Sequence, residues 1–311
     1  MWKARLYIFL LCFGIGFSLQ AQQWHTDHLN QLDELLSKEK YKEAQVLLKK
    51  NSATLQAKKR YYLLTDYIYY TGKIEGQLQN QTVATQATKH FLKTITTATD
   101  SLKVLRQAYL NVAMYYEYIG DAKNAYESDI KALELTKKWK EATPEHYGLI
   151  ESNLAVLANR KGDITKSIKH SKKALKYLES YPKTEPKNLY LVYNTLGGSM
   201  WYESKIDSAV YYYQKAEKTL GLMVNNPLNK FYRPAVLQNN LAGIYEVQGD
   251  LEKALAAMKK SINYLNLFLK SDAADHKKEG AQEFLYTAID NYAGFYKEMG
   301  DFEKAKELLE Y

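Results

Sequence analysis

The amino-acid sequence predicts an all-α fold of about seven helical hairpins, because one helix–turn–helix pattern recurs with small residues in register. The clearest copy runs over residues 238–264. Apolar residues three or four apart give each of its two helices one apolar face, on either side of Gly249-Asp250. Gly249 suits the left-handed backbone that ends the first helix, and Asp250 can cap the second. We therefore expect two short helices packed face to face.

The same joint recurs along the chain. It stands at Gly120-Asp121, Gly162-Asp163 and Gly300-Asp301, and a degraded copy has Ser204-Lys205. Small residues recur seven positions before each joint and five positions after it, where a larger side chain would push the paired helices apart. In chain order these positions hold Ala113, Ala155, Gly197, Ala242 and Ala293 before the joint, and Ala125, Ser167, Ala209, Ala254 and Ala305 after it. A further small residue closes the second helix at Ala132, Ala174, Ala216 and Ser261.

Taken together, these positions resemble tetratricopeptide repeats (TPRs). An Asn-x-Ala signature in the first helices is similar to the long variety found in kinesin light chains and in many bacterial signalling proteins. It begins at Asn111, Asn153, Asn240 and Asn291. The resemblance implies a right-handed superhelical solenoid that recognises a protein or peptide segment in its concave groove.

Residues 1–21 are expected to form a signal peptide that precedes the fold. Lys3 and Arg5 provide a basic start, residues 6–19 form a short apolar core, and Ala21 offers a small residue for cleavage before Gln22. The run is shorter than the about 20 apolar residues of a membrane span, although a retained anchor is the alternative. Cys12 lacks the preceding small residue of a lipid-modification site. We therefore expect an exported protein, periplasmic or at the cell surface.

Composition narrows the classes of function. Cys12 is the only cysteine among 311 residues, so the mature chain is expected to have no disulfide, thiol nucleophile or cysteine metal site. The formal net charge of +8 is spread over lysine-rich helix faces, and no nucleic-acid recognition motif accompanies it. We expect a folded protein with no nucleic-acid partner and no membrane span after cleavage. The sequence leaves its oligomeric state open.

Residues 22–100 are predicted to form divergent hairpins. The first spans Trp24–Lys50. The second has a tyrosine-rich first helix over Arg60–Tyr70, a turn at residues 71–73 and a long second helix towards Thr99, whose β-branched run makes that boundary the least certain.

Residues 101–311 are predicted to form the regular array. Its joints at positions 121, 163, 205, 250 and 301 are spaced by 42, 42, 45 and 51 residues. The usual repeat is about 34 residues, so the surplus enters longer helices and polar connectors. The final helix lacks a polar capping helix, which favours a chain that continues, with pairing to a partner or to itself as the alternative. All five prolines lie between the predicted hairpins.

The sequence offers no enzyme site. Its six histidines are scattered, and His25 and His28, spaced for one helix face, are a weak metal pair beside Asp27. The chain has no nucleophile-elbow, zinc-protease or dinucleotide motif. We expect no catalytic residues, no metal and no cofactor.

Binding is better supported. Counting from the joints places residues of the first helices on one stripe that faces the groove. Asn194, Asn239 and Asp290 occupy one equivalent position, and amide side chains there can pair with a peptide backbone. The candidate partner-binding residues are Asn159, Arg160, Asn194, Trp201, Tyr202, Asn239, Glu246 and Asp290.

Three glycines, Gly198, Gly243 and Gly294, recur one turn further on. Each costs a helix about 1 kcal/mol against alanine, so they indicate a need for space, either for a ligand or for close helix packing. Tyr213, in a run of three tyrosines, is expected to point into its hairpin while its neighbours splay to either side.

The leading hypothesis is a non-catalytic scaffold that binds a partner segment. One alternative is the sensory front of a longer bacterial signalling protein carrying a histidine kinase, a regulator or a CHAT protease. Another is a cell-surface glycan-binding protein that stacks sugars on tyrosine and tryptophan.

Overall fold

The computed structural model describes residues 23–273 and 275–310, and all of their regular secondary structure is helical. The fold is an all-α solenoid, as predicted, with seven helical hairpins among the described residues. The chain divides after Lys140 into two compact units. The predicted signal peptide at residues 1–21 lies outside the described residues.

Unit 1 contains three hairpins and a short helical connection. Residues 23–37 form α1. The remaining helices are α2 (Tyr41–Ala57), α3 (Tyr61–Leu64), α4 (Tyr67–Leu78), α5 (Gln81–Ala98), α6 (Leu102–Tyr118) and α7 (Ala122–Lys138). The hairpins are α1–α2, α4–α5 and α6–α7, and α6 packs against α4 and α5 of the preceding hairpin.

Unit 2 contains four hairpins that pack in sequence. Its helices are α8 (Pro144–Arg160), α9 (Ile164–Glu179), α10 (Pro186–Tyr202), α11 (Ile206–Leu220), α12 (Arg233–Val247), α13 (Leu251–Leu269), α14 (Asp275–Glu298) and α15 (Phe302–Leu309). A π-helical turn, Leu228–Tyr232, leads into α12. Within the unit, the second helix of each hairpin packs against the first helix of the next. The first helices α8, α10, α12 and α14 are called the A helices below.

The joints have the predicted chemistry. Gly120, Gly162, Gly249 and Gly300 all have φ between 75° and 80°, the left-handed region that glycine enters without steric cost. The aspartate after each glycine accepts a hydrogen bond from a backbone N–H in the first turn of the following helix. At the degraded joint, Ser204 adopts the same left-handed backbone conformation, with φ 55°. Glu39 and Lys59 adopt this conformation as well, so unit 1 contains two joints that a Gly-Asp search misses.

The small residues lie where hairpins pack most tightly. Every alanine at the two register positions around the joints is at most 1% exposed. Gly197 shows why: a Cβ built on it would fall 2.6 Å from the ring of Tyr213, which is buried as predicted. Tyr211 is exposed and Tyr212 stacks on Tyr193, but the rings of Tyr211 and Tyr212 also meet edge to face with centroids 5.2 Å apart. The expectation that these two side chains splay to either side is therefore wrong.

The predicted turn at residues 71–73 is wrong. Those residues lie inside α4, and the chain turns at Gln79 and Asn80, where the Asn80 side chain accepts a hydrogen bond from the Val83 N–H. Gly72 is instead a contact point, since a Cβ on it would fall 2.2 Å from the ring of Tyr115 on α6. The glycine therefore serves close packing between hairpins, and a short-range turn rule mistakes it for a break.

Two helix boundaries also differ from the prediction. The predicted helix over Arg60–Tyr70 is interrupted at Thr65 and Asp66, between α3 and α4. The first hairpin extends beyond Lys50 to Ala57, because Leu55 on the last turn of α2 is buried. The β-branched run does not shorten α5, which reaches Ala98. Its threonine hydroxyls donate to backbone carbonyls three or four residues earlier.

The predicted boundary between divergent hairpins (residues 22–100) and regular hairpins (residues 101–311) is defined by the repeat sequence. The division into compact units follows a different criterion and does not test it, so the boundary stays a prediction.

The prolines sit at helix starts or in connectors. Pro144 and Pro186 begin α8 and α10, where a missing N–H costs no helical hydrogen bond.

Candidate functional site

The predicted binding residues all lie in unit 2, on or next to the A helices. The stripe of A-helix positions that holds these residues and the glycines Gly198, Gly243 and Gly294 is called the groove line below. Its members Asn159, Asn194, Trp201, Asn239 and Glu246 are half-buried, and Asp290 is exposed. Each A helix therefore keeps one partly open stripe beside the face that packs into its hairpin.

Two asparagines of the groove line contact the neighbouring hairpin. Asn159 Nδ2 on α8 donates to Ser199 Oγ on α10 over 3.0 Å, and Ser199 Oγ lies 2.9 Å from Ser167 Oγ. Asn194 Oδ1 on α10 accepts from Asn240 Nδ2 on α12 over 3.4 Å. These amides hold adjacent hairpins together, a role that the sequence reasoning did not anticipate.

Asn240 belongs to the Asn-x-Ala signature, and its partner gives that signature a physical meaning. In unit 1 the equivalent Asn111 Nδ2 donates to Asp66 Oδ1 over 3.3 Å, again reaching the preceding hairpin. A signature asparagine therefore bridges successive hairpins in both units. Asn239, one residue before Asn240, has a side-chain oxygen that is shielded from solvent and has no hydrogen-bond partner within the described residues.

Trp201 and Tyr202 form the aromatic part of the site. Their ring centroids lie 5.2 Å apart at the end of α10, and Tyr202 is 63% exposed. The indole of Trp201 reaches the next A helix, where a Cβ built on Gly243 would lie 3.6 Å from its ring. The half-buried indole and the exposed tyrosine ring at this helix end offer apolar area to a ligand.

The three glycines of the groove line are not required by packing. A Cβ on Gly198 or Gly243 would make ordinary contacts of 3.5 and 3.6 Å, and one on Gly294 would meet nothing within 4 Å. At Gly197, one residue before Gly198, an added methyl group would clash with the ring of Tyr213. The tight contacts thus lie on the packed face of α10, and the glycines of the groove line leave open surface.

Glu246 is a half-buried carboxyl group whose pKa is shifted. Glu298, on α14, is the charged residue that acts on its carboxyl. Partial burial, followed by the charge and hydrogen bond of Glu298, raises the pKa of Glu246 above its usual value. The sequence pattern selected Glu246 but not Glu298, because the two residues lie on helices of different hairpins.

Arg160 and Asp290 lie at the ends of the groove line. Arg160 is exposed at the last residue of α8. Asp290 lines a cavity of 640 Å³ whose other walls come from α13, α15 and the rest of α14. Asp290 therefore borders the last hairpin, and the structure shows no contact between it and Asn194 or Asn239 in the part of the chain that it describes.

A second cavity, of 720 Å³, lies on the first hairpin of unit 1 and was not predicted. Leu35, Val46 and Leu47 provide its apolar lining, and four lysines and two glutamates surround them. Lys38 pairs with Glu34 and Lys40 with Glu43. It is a broad surface depression on α1 and α2.

His25 and His28, the two histidines spaced for one helix face, make separate contacts. His25 Nε2 lies 2.8 Å from Asp66 Oδ2, whereas His28 Nδ1 contacts the carbonyl of Trp24, so the two do not share a ligand. No group of three potential metal-ligating side chains occurs in residues 23–273 and 275–310. Buried Glu151 holds His170 at 2.6 Å and Lys173 at 3.5 Å, which joins α8 to α9.

Comparison with solved structures places this geometry in a known fold. BtubC (BKLC) from P. vanneervenii matches with a TM-score of 0.53 at 19% identity, covering 81% of this chain and 88% of that one. A Signal Transduction ATPase with Numerous Domains (STAND) protein with a TPR sensor, from Pyrococcus horikoshii, matches with a TM-score of 0.63 at 17% identity, covering 91% of this chain. The match spans only 40% of the STAND protein.

A third match is to a Podosopora anserina protein named for kinesin light chain, whose TPR-like repeats are nearly identical to one another. Its TM-score is 0.50. The identity is 17%, and the match covers 68% of this chain and 94% of that one. At these identities the likeness shows the fold alone, and that fold is the TPR array that the sequence predicted. Neither a family model nor a curated protein sequence matches this chain.

None of the helices in the described residues is long and apolar enough to cross a bilayer.

Proposed function

We propose that this protein is a non-catalytic binding scaffold that holds an extended segment of a partner protein along the groove line of unit 2. The main support for this proposal is the open stripe of positions along the A helices. Three glycines on this stripe leave space for a ligand, and Trp201 and Tyr202 present aromatic surface. TPR folds bury one face of each A helix in the hairpin and leave the other available for ligands.

The proposal includes export. The basic start, the short apolar run and the small residue at Ala21 favour a cleaved signal peptide. Amino-terminal sequencing of the protein recovered from the cell envelope tests this part. A mature chain beginning at Gln22 supports export, and a chain that keeps its first 21 residues contradicts cleavage.

Peptide selection tests the binding proposal. Randomised twelve-residue peptides displayed on phage are selected on the purified protein, and the affinity of the enriched peptides is measured by calorimetry. We expect the double variant Trp201→Ala/Tyr202→Ala to lose at least tenfold in affinity, because aromatic anchors carry much of the energy of such interfaces.

The matched control is Tyr211→Ala. Tyr211 is also an exposed tyrosine, but it lies on α11, the second helix of the same hairpin. The control should bind as the parent does. Equal loss in both variants, or no loss in the double variant, contradicts a site on the groove line.

A sensory role within a longer signalling protein is the second candidate. The observation that favours it is the likeness to a STAND protein with a TPR sensor. A single transcript that encodes this chain together with a kinase, regulator or protease module supports it, and a transcript that encodes this chain alone contradicts it.

Glycan binding through Trp201 and Tyr202 is the other alternative. It predicts that the protein is retained on oligosaccharide columns and that no peptides are enriched.

A further inference from the structure

The connector between α11 and α12 exposes two large apolar side chains. It spans residues 221–232, ends in the π-helical turn, and is called the α11–α12 connector below. Leu222 is 74% exposed and Val224 is 78% exposed, the highest values among the large apolar side chains that the structure describes. Neither of the two cavities described above is lined by this connector. These two side chains, called the apolar tip, therefore extend into solvent and do not line a pocket.

Hydrogen bonds hold the connector in this shape. Asn229 Nδ2 donates to the carbonyl of Val224 over 2.8 Å, and the Asn229 N–H donates to Asn226 Oδ1 over 2.9 Å. Met223 packs against the core of unit 2, and its sulfur lies 3.5 Å from Arg233 Nη1. The backbone is thus fixed with the apolar tip on its solvent side. Apolar surface in water is unfavourable, and exposed apolar side chains that lie together mark contacts with a partner or a membrane.

The connector lies in a long stretch of sequence without acidic residues. From Lys218 to Tyr245 the chain contains no aspartate or glutamate, and it contains three cations, Lys218, Lys230 and Arg233. Lys218 and Lys230 are exposed, and neither has an ion pair in the part of the chain that the structure describes. The ammonium group of Lys230 lies 5.2 Å from the ring centroid of Phe231. An exposed lysine therefore stands on either side of the apolar tip along the chain.

This combination matches the surface of an anionic membrane. Apolar side chains enter the boundary between headgroups and acyl chains, and lysines beside them are attracted by acidic headgroups. Long lysine side chains can keep their ammonium groups among the headgroups while an apolar tip inserts. A protein partner needs a concave apolar surface to receive a protruding tip, whereas a fluid bilayer accepts the tip without a preformed pocket.

We propose that the α11–α12 connector is a peripheral docking loop for an anionic phospholipid bilayer. The apolar tip inserts into the interface, and Lys218 and Lys230 pair with the headgroups. The proposal goes beyond the proposed function, because none of these residues belongs to the groove line. Docking by this loop places unit 2 at a membrane surface.

Vesicle flotation tests the loop. The chain that begins at Gln22 is used, because the apolar run at residues 6–19 would bind lipid on its own, and this chain contains every helix described above. Vesicles of phosphatidylglycerol and phosphatidylcholine in equal parts are compared with vesicles of phosphatidylcholine alone. We expect binding to the anionic vesicles only, and loss of most of that binding in about 0.5 M salt, which screens the lysines.

Matched variants locate the contact. Val224→Ser should lower the partition coefficient about threefold and Leu222→Ser/Val224→Ser about tenfold, since the apolar contribution scales with the area removed from water. Lys218→Gln/Lys230→Gln should lower it about tenfold at low salt. Val247→Ser is the control, because Val247 is 61% exposed at the last residue of α12, outside the connector. The control should bind as the parent does.

A fluorescent label gives a second readout. The chain that begins at Gln22 has no cysteine, so bimane attached through Val224→Cys reports on this position alone. Its emission should shift to the blue on anionic vesicles, and bimane attached through Val247→Cys should show no shift.

Several results would overturn the proposal. They are no binding to either kind of vesicle, equal binding to both, and equal loss for Val224→Ser and Val247→Ser. Binding of polyglutamate through the apolar tip and the two lysines, in place of anionic vesicles, would make the loop a protein-docking surface and would also overturn it. Peptide binding on the groove line should be unchanged by Leu222→Ser/Val224→Ser, so this proposal and the proposed function fail independently.

Discussion

The ring of Tyr213 lies against the backbone of Gly197, so closely that a Cβ on the glycine would fall 2.6 Å from it. Tyr213 is on α11 and Gly197 on α10, and the contact sets how closely the two helices of this hairpin approach. Gly243 lies one hairpin further on and faces open surface beside Trp201. The two glycines therefore predict opposite effects of the same substitution.

Gly197→Ala should lower the free energy of unfolding by about 1 to 3 kcal/mol, because the buried Tyr213 ring cannot move away from an added methyl group. Gly243→Ala should leave it unchanged or raise it by up to about 1 kcal/mol, since alanine favours the helix and only ordinary contacts form. Urea unfolding of both variants gives the comparison. Equal destabilisation by the two would contradict the distinction between packed and open faces.

The degraded joint allows a stabilising change. Ser204 adopts φ 55°, which costs a residue with a Cβ about 1 kcal/mol or more. Ser204→Gly should therefore raise the melting temperature, whereas Gly249→Ala, at φ 75°, should lower it. Thermal melting followed by circular dichroism is the measurement. A lower melting temperature for Ser204→Gly would show that the serine side chain has a role that outweighs its backbone strain.

The aspartate caps can be tested at Asp121. Its Oδ1 accepts from the Asn124 N–H over 3.0 Å, and this hydrogen bond is the main reason that the pKa of Asp121 lies below its usual value. Asp121→Ala should cost about 1 kcal/mol at neutral pH. Because the folded-state pKa is lowered, the difference from the parent should be complete above about pH 4 and disappear as the pH falls through the folded-state pKa.

Asp121→Asn is the control, since asparagine caps helices without a charge. It should retain most of the stability at every pH. A cost for Asp121→Ala that is the same at pH 2 and pH 7 would mean that the ionised cap contributes nothing.

Glu246 predicts the opposite pH dependence. Its pKa is raised by burial and by Glu298, so the folded protein holds the Glu246 proton more tightly than the unfolded chain does. Ionisation therefore destabilises the fold as the pH rises from about 4.5 through the raised pKa. Glu246→Gln should stabilise the protein at pH 7, by less than about 1 kcal/mol because solvent screens a half-exposed group.

The same variant should match the parent at pH 3, where Glu246 is protonated. Melting temperatures at the two pH values provide the test. A Glu246→Gln variant that is less stable than the parent at pH 7 would show that the carboxylate has a favourable partner in the folded protein.

The repeat frame could be predicted from sequence because its signals are local. Glycine ends a helix and aspartate begins the next within two residues, and small residues mark the closest contacts at fixed distances from that joint. Where the signal was missing, the prediction failed. Lys59 makes the same left-handed joint as Gly249 without a glycine, and Gly72 resembles a turn although it packs inside a helix against Tyr115.

The candidate site was only partly accessible to sequence reasoning. The periodicity of the A helices placed Trp201 and Glu246 on one stripe, but it could not show which side chains of the next hairpin they meet. Asn159 donates a hydrogen bond to Ser199, and the charge that helps to raise the pKa of Glu246 is that of Glu298, which was not selected at all. These partners come from different hairpins, and their positions depend on packing angles that no short motif encodes.

NMR mapping of a selected peptide on the protein is the sharpest test of binding along the groove line. The backbone amide shifts of the labelled protein are compared with and without an enriched twelve-residue peptide. We expect the largest changes at the half-exposed positions of α8, α10 and α12, with Trp201 and Gly243 among them. Changes concentrated on α9, α11 and α13 would contradict it.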